Sequence, residues 1–215
     1  MPTILLTNDD GVYAPGLAAL RDMLAPLGRV VVVAPERDNS AVSHALTMGR
    51  PLRLQDLGGD RFAVDGTPTD CVIIGLGKVL AEKPALVVSG INRGPNLGDD
   101  ISYSGTVSAA IEATMHGVPA MAVSMGLFVG LLGESPVYER ATAVVRALAG
   151  KLLSGGLPEN TLLNVNFPPG GLYKGVRLTR QGRRLWQDPI KEVCDPWGET
   201  RYWIGGGRFH VESED

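Results

Sequence analysis

Short apolar runs alternate along this chain with longer segments in which apolar residues recur at helical spacing. The runs predict strands at residues 4–6, 30–34, 86–89, 120–124 and 162–165. The longer segments predict helices at residues 17–27, 70–83, 104–116 and 139–153. Strands that are apolar on both sides lie in sheets covered on both faces, and strand–helix alternation gives right-handed crossovers between parallel strands. We therefore expect an α/β fold: a three-layer, Rossmann-like arrangement with a mostly parallel sheet.

The pattern changes at about residue 168, beyond which no helical periodicity remains. All three tryptophans of the chain, Trp186, Trp197 and Trp203, lie in this segment among several arginines. We interpret residues 171–215 as an extended β-hairpin appendage on a core of residues 1–170. Exposed aromatic residues beside arginines are typical of interfaces. We therefore expect the appendage to mediate oligomerisation, with a solvated appendage as the alternative.

Charge balance and cysteine content exclude several classes of protein. With 23 acidic and 20 basic residues the net charge is −3, which argues against a protein that coats nucleic acid or an anionic membrane. Cys71 and Cys194 do not have the spacing of a zinc site or a disulfide framework, so two free thiols are expected. The N-terminus lacks a basic leader, and no apolar stretch approaches the roughly 20 residues of a membrane helix. We expect a cytoplasmic protein.

The first polar segment that follows a predicted strand contains two adjacent acids, Asp9 and Asp10. In an open parallel sheet, ligands bind beyond the carboxyl ends of the strands. Two neighbouring carboxylates there repel each other unless a cation lies between them or one holds a proton. Aspartate is also common in turns and helix caps, so this pair alone leaves a metal site and a turn as alternatives.

Two further segments after predicted strands, residues 35–43 and 89–96, supply neutral oxygen atoms. Their candidate ligands are Ser40, Asn92 and Asn96, and neither segment contains a cysteine. Carboxylates combined with hydroxyl and amide oxygens suit Mg²⁺ or Mn²⁺ better than a structural zinc.

A fourth segment, Ser104, Gly105 and Thr106, begins a predicted helix. Free backbone N–H groups and the helix dipole make a helix N-terminus a site for anions, and glycine lets a phosphate approach the backbone closely. Serine is equally a routine N-cap. Taken together, the four segments predict a divalent cation and an anion site on one sheet edge, as in a metal-dependent phosphohydrolase.

Several motifs, in order, closely resemble the SurE (survival protein E) family. They are LLTNDDGVYAPGL, APERDNSAVSHALT, GTPTDCV, LVVSGINRGPNLGDDISYSGTVSAAIEA and GVPAMAVS. The resemblance is dense over residues 3–125 and looser through NVNFP, LTRQGRRLW, DPWG and YWIGG. It implies a metal-dependent nucleotidase that hydrolyses nucleoside 5'- and 3'-monophosphates, and some members of the family also attack short polyphosphate.

The resemblance also implies roles for particular residues. The implied ligands of one divalent ion per subunit, Mg²⁺ or Mn²⁺, are Asp9, Asp10, Ser40 and Asn92. The implied phosphate-binding residues are Asn96, Ser104, Gly105 and Thr106. Either Asp9 or Asp10 is expected to accept the proton of the attacking water.

The chain departs from the family pattern in two places. Ser43 stands where family members commonly have glycine before the following histidine, His44. The chain ends at RFHVESED, which lacks the family's usual closing segment, so the appendage is expected to be truncated. Because family oligomers use C-terminal arms, we expect a homodimer or homotetramer.

Two alternatives come from other functional classes. A non-catalytic nucleotide-binding module explains the loops equally well, but paired aspartates would repel a bare phosphate, and no GxGxxG follows the first strand. A phosphatase that forms an aspartyl-phosphate uses DxD spacing, whereas Asp9 and Asp10 are adjacent. For the histidines, His44 is expected to contact phosphate or backbone, and His116 to complement a helix dipole.

Overall fold

Residues 1–126, 138–169, 173–187, 190–204 and 208–212 are described by the computed structural model. The chain divides into two units. The first comprises residues 1–96 and 101–177, and the second residues 97–100 and 178–215. This division lies near the predicted boundary at residue 170, and the role assigned to the appendage remains a prediction.

A seven-stranded sheet forms the centre of the first unit. Its strands are β1 (Thr3–Thr7), β2 (Arg29–Pro35), β3 (Leu54–Asp56), β4 (Arg61–Val64), β5 (Leu86–Arg93), β6 (Ala120–Met125) and β7 (Leu162–Phe167). They lie in the order β3-β4-β2-β1-β5-β6-β7. Every neighbouring pair is parallel except β3 with β4. The predicted mostly parallel sheet is confirmed.

Helices cover both faces of this sheet. The helices are α1 (Pro15–Leu24), α2 (Pro68–Ile74), α3 (Gly105–Met115) and α4 (Thr142–Leu153). On one face, Ile4 and Leu6 of β1 pack into a core with α1 and α4. On the other, Leu5 packs with α2 and α3. Because alternate residues of one strand are buried on opposite faces, the strands are apolar throughout, and the predicted three-layer α/β fold is confirmed.

The strands β3 and β4 are absent from the sequence prediction. They form an antiparallel hairpin at the sheet edge, with Leu54 paired to Val64. Two of the three residues of β3 are exposed, so this edge has no apolar run by which periodicity would identify it.

The helix predicted at residues 70–83 differs in both bounds. It begins at Pro68, because Thr67 and Asp70 form a capping box. The α-helix ends at Ile74 and continues as a π-helical segment over Gly75–Val79. Both segments therefore end by Val79, short of the predicted end at residue 83.

The described residues of the second unit include four antiparallel strands. They are β8 (Arg183–Gln187), β9 (Ile190–Cys194), β10 (Thr200–Ile204) and β11 (Arg208–Glu212), with β9 paired to β10 and β8 paired to β11. The predicted C-terminal hairpin is confirmed. Trp197 and Trp203 are 85% and 67% exposed, while the proposal that this surface binds another subunit remains untested.

Both cysteines are free, Cys71 in the core and Cys194 on the surface, as predicted. Within the described part of the chain, no helix combines the length and apolarity needed to cross a membrane.

Candidate metal and phosphate site

Asp9 lies directly beyond the carboxyl end of β1, where its side chain is buried. Both carboxylate oxygens accept hydrogen bonds from Thr106 in the first turn of α3: the backbone N–H reaches Oδ2 at 3.1 Å and the hydroxyl reaches Oδ1 at 2.6 Å. The acid after the first strand and the start of α3 are thus one hydrogen-bonded unit.

Asp10 is half-buried beside Asp9, and its Oδ2 accepts the backbone N–H of Arg93 at 3.3 Å. Burial, then the neighbouring charge of Asp9, raises the pKa of Asp10 to about 6. Burial likewise raises the pKa of Asp9, although the bonds from Thr106 oppose that shift. Ionising both carboxylates therefore costs free energy unless a positive charge lies nearby, and a bound cation would supply that charge.

Asp38, in the loop after β2, is a third acid of this region that sequence analysis missed. Its negative charge adds to the pKa increase of both Asp9 and Asp10. Its Oδ1 accepts bonds from the backbone N–H of Ser40 at 2.7 Å and from the Ser40 hydroxyl at 2.6 Å. The same loop is bonded to the segment that follows β1, because the Asn39 N–H donates to the Asp9 carbonyl at 2.8 Å. An acid two residues before Ser40 was the available sequence signal.

Ser40 is exposed. Its connection to the acid pair is through the loop after β2, which is bonded to Asp9 through Asn39. Because its hydroxyl hydrogen points to Asp38, the lone pairs of its oxygen are free to face a cation. Its predicted role as a metal ligand remains a prediction.

Asn92 lies near the end of β5, just after the register with β6 shifts between Ser89 and Asn92. Gly90 permits this path: its φ is 133°, and a Cβ there would collide with the carbonyl oxygen of Val123. The Asn92 amide donates through Nδ2 to the Gly94 carbonyl at 3.0 Å. This orientation leaves Oδ1 as the atom available to a cation.

Asn96 is buried and held by a group of polar side chains that sequence analysis missed. Its backbone N–H donates to Asn166 Oδ1 at 2.8 Å, and its Nδ2 donates to the Ser124 hydroxyl at 2.7 Å. Its carbonyl accepts bonds from Asn164 at 3.0 Å and from Asn166 at 3.1 Å. The motif NVNFP at the end of β7 was the sequence signal for this group.

Ser104, Gly105 and Thr106 begin α3 as predicted. The Ser104 hydroxyl caps the helix by accepting Val107 N–H at 3.1 Å. A Cβ on Gly105 would lie 3.0 Å from the Cβ of Asp9, so a side chain at this position would separate the helix from the acid. Both donors of Thr106 are already bound to Asp9. Thr106 therefore orients a predicted metal ligand, and its contact with phosphate remains a prediction.

The residues of this region fit the predicted cation. Among the described residues, no group of three or more His, Cys, Asp or Glu side chains is arranged to hold a metal. A cation site here would therefore depend on neutral oxygens that supplement the two carboxylates, a set suited to Mg²⁺ or Mn²⁺. In the segment of the acid pair, the buried Oδ1 of Asn8 has no hydrogen-bond partner.

His44 was expected to contact phosphate or backbone, but in the structure it pairs with an acidic side chain. Its Nε2 lies 2.8 Å from Oε2 of Glu112. Glu112 is buried on α3, and its other oxygen lies 3.0 Å from Nε2 of His116. One carboxylate thus joins the loop that contains Ser40 to the helix that contains Thr106. Sequence analysis missed Glu112, whose partner His44 is 68 positions away.

Substituting His44 with alanine is expected to lower the free energy of unfolding by roughly 1–3 kcal/mol, because the buried Glu112 loses one of its two hydrogen-bond partners. Urea denaturation of the metal-free protein measures this effect. In the double variant with Glu112→Gln the two losses should not add, since the residues share one interaction. Additive losses would contradict the pairing.

A family model described as Survival protein SurE matches residues 4–188. The chain belongs to the SurE family. A relative named 5'-nucleotidase SurE from Syntrophotalea carbinolica is 57% identical over 212 residues, covering 99% of this chain and 83% of the relative. Another of the same name from Geobacter sulfurreducens is 53% identical, covering 94% and 77%. The crystal structure of the SurE protein from Aquifex aeolicus superposes with a TM-score of 0.80 at 44% identity, covering 98% of this chain and 83% of that one.

Proposed function

We propose that this member of the SurE family is a divalent-metal-dependent nucleotidase. Its substrates would be nucleoside 5'-monophosphates, together with 3'-monophosphates and short-chain polyphosphate. Hydrolysis of a nucleotide would give a nucleoside and inorganic phosphate. The proposal is supported by relatives named 5'-nucleotidase SurE at 46–57% identity. The observation of greatest weight is the pair of bonds from Thr106 to Asp9, because they bring a helix N-terminus suited to phosphate against a carboxylate suited to a cation.

Asp9, Asp10, Ser40 and Asn92 would hold one Mg²⁺ or Mn²⁺ ion. When bound, such an ion polarises a phosphoryl oxygen and makes water more acidic. In the chain itself, the acid pair and the loop after β2, which are joined by the bond from Asn39 N–H to the Asp9 carbonyl, support this position for the ion.

Asp10 is the better candidate for the proton acceptor. Both oxygens of Asp9 already accept bonds from Thr106, whereas Asp10 has one weaker bond, from Arg93 N–H at 3.3 Å. Asp10 therefore retains an oxygen that can take the proton of the attacking water as the nucleoside hydroxyl leaves in line.

Asn96 and the N-terminus of α3 would hold the phosphate. The Asn96 amide donates one hydrogen to Ser124 and has a second to donate to a phosphoryl oxygen. The helix N-terminus at Gly105 would attract that oxygen, because the first backbone N–H groups of a helix and its dipole favour an anion.

Metal removal is expected to abolish phosphate release. The protein is incubated with AMP after EDTA treatment, then with Mg²⁺ or Mn²⁺ restored, and inorganic phosphate is measured. We expect no release above background in EDTA and recovery with either metal. Release that EDTA leaves unchanged would contradict the metal dependence.

The second candidate, a nucleotide-binding module without catalysis, explains the same loops and predicts a different result. It would bind AMP with no phosphate release under any metal.

We further propose that the protein is cytoplasmic and that it forms a homodimer or homotetramer through the second unit. The mass of the protein in solution would test the assembly.

A further inference from the structure

The segment that contains Ser40 has little regular structure of its own. Over the described residues 36–47, which we call the Ser40 loop, the chain makes turns but forms neither a helix nor a strand. Ala41 and Ser43 in this loop have φ values of 59° and 58°, a left-handed conformation that is unfavourable for residues other than glycine. Such a backbone persists only where the surrounding structure holds it, so the contacts that the loop makes with other elements decide its position.

The second half of the Ser40 loop is bonded to the segment before α3 and to α2. Ser43 donates its N–H to the Tyr103 carbonyl at 3.0 Å and its hydroxyl to the Ser102 carbonyl at 2.7 Å. Thr47 donates its N–H and its hydroxyl to Asp70 at 3.0 and 2.6 Å. The loop is therefore held at several points along its second half.

His44 adds the bond from the Ser40 loop to the body of α3. It lies four residues after Ser40, and its partner Glu112 is buried about two turns into the helix. The same helix begins with Thr106, which binds both oxygens of Asp9. The bond between His44 and Glu112 thus connects the loop of one predicted metal ligand to the helix that orients another.

His116 binds the same carboxylate without making such a connection. Its Nε2 lies 3.0 Å from Oε1 of Glu112, four residues earlier at the end of the same helix. Removal of either histidine leaves the buried carboxylate with one histidine partner in place of two. Only removal of His44 also separates the loop from α3, so His116 is a matched control within the chain.

We propose that His44 and Glu112 are positioning residues that hold the Ser40 loop in place for the metal ion. The inference rests on the proposed function, because Ser40 is a metal ligand only in that function. Neither residue of the pair needs to touch the metal or the substrate. Loss of their bond leaves every predicted ligand present but lets the loop, and with it the Ser40 oxygen, move away from the acid pair.

Amide hydrogen exchange of the metal-free protein tests the position of the loop directly. Three N–H groups of the loop are bonded to carbonyl oxygens and report its order: Asn39, Val42 and Ser43. The turn between β3 and β4, where Leu57 N–H is bonded to the Arg61 carbonyl, is the internal reference. We expect His44→Ala to speed exchange in the loop about tenfold and to leave the reference unchanged.

Two further variants separate the positioning role from a general loss of stability. His116→Ala should leave exchange in the Ser40 loop at the native rate, although it also removes a partner of Glu112. His44→Gln should restore most of the protection, because a side-chain amide can still donate to that carboxylate. Urea midpoints of all variants show how much each substitution destabilises the whole fold.

Mn²⁺ binding in the absence of substrate is the second measurement, followed by the electron paramagnetic resonance of the free ion. We expect His44→Ala to raise the Kd for Mn²⁺ about tenfold, as for the loss of a group that orients a metal ligand. His116→Ala should bind the ion as the native chain does, and His44→Gln should be close to native.

Equal effects of the two alanine variants would overturn the positioning role, as would native loop exchange in His44→Ala. Faster loop exchange with an unaltered Kd for Mn²⁺ would also overturn it, since the position of the loop would then not matter to the ion. If the native chain binds no Mn²⁺ while His44→Ala still loosens the loop, the proposed metal dependence fails instead, and with it the role of Ser40 as a ligand. The two failures are therefore distinguishable.

Discussion

Asp9→Asn is expected to lower metal-dependent phosphate release from AMP by about a thousandfold or more, on the scale of losing a principal electrostatic group of an active site. The substitution removes a negative charge from the predicted ligand set while it retains the shape of the side chain. Initial rates over a range of Mn²⁺ concentrations measure the effect. Asp22→Asn, an exposed aspartate on α1, is the control and should retain full activity.

The fold of Asp9→Asn should persist, because the negative charge is not what stabilises the metal-free protein. Burial raises the pKa of Asp9, and raises that of Asp10 from 3.8 to about 6. A carboxyl whose folded pKa is raised stabilises the fold below its unfolded pKa and loses that contribution as pH rises through the folded pKa, which for Asp10 is the interval from about 4 to about 6. Asparagine stays neutral, which removes the cost of burying a charge, but it has only one acceptor oxygen for the two bonds from Thr106. At pH 7 the urea midpoint of the metal-free variant should therefore stay close to that of the native chain. A large fall would mean that Asp9 has a structural role instead.

Asn92→Ala is expected to raise the Mn²⁺ concentration for half-maximal activity by about a hundredfold, with a smaller effect on activity at saturating metal. The expectation follows from the orientation of Asn92, whose Nδ2 is bonded to Gly94 and whose Oδ1 is thereby free. A metal titration of activity and direct Mn²⁺ binding both measure the change.

Asn96→Ala provides the contrast with Asn92→Ala. If Asn96 binds phosphate, its loss raises KM for AMP and leaves the metal requirement unaltered. Gln55→Ala, an exposed amide on β3, controls for loss of an amide elsewhere. Identical kinetic profiles for Asn92→Ala and Asn96→Ala would refute the division between metal and phosphate roles.

The central part of the fold was predictable because its strands are apolar on both faces. Leu5 and Leu6 of β1 are buried on opposite sides of the sheet, so the run itself identified a covered strand. The edge strand β3 was not predictable in this way, since its residues Gln55 and Asp56 are exposed and only pairing with β4 makes it a strand.

The candidate site was predictable where its residues belong to one continuous motif. Asp9 and Asp10 are adjacent, and Ser104 to Thr106 begin a helix, so local chemistry pointed to each segment. The side chains that hold these segments in place were not predictable, because their partners are distant in sequence. Asn96 and Asn166 are 70 positions apart, and His44 and Glu112 are 68 positions apart. A single sequence gives no indication of which side chains will meet over such distances.

The two bonds between Asp9 and Thr106 join residues 97 positions apart, and this separation has a consequence for the order of folding. Closing so long a loop is entropically costly until the intervening strands have paired. The first 60 residues contain both carboxylates and Ser40, yet they lack the helix that orients Asp9. Metal capture during refolding should therefore follow the pairing of β1 with β2 and β5 and the docking of α3, and not early collapse, so a metal-sensitive fluorescent probe would report the formation of this part of the first unit.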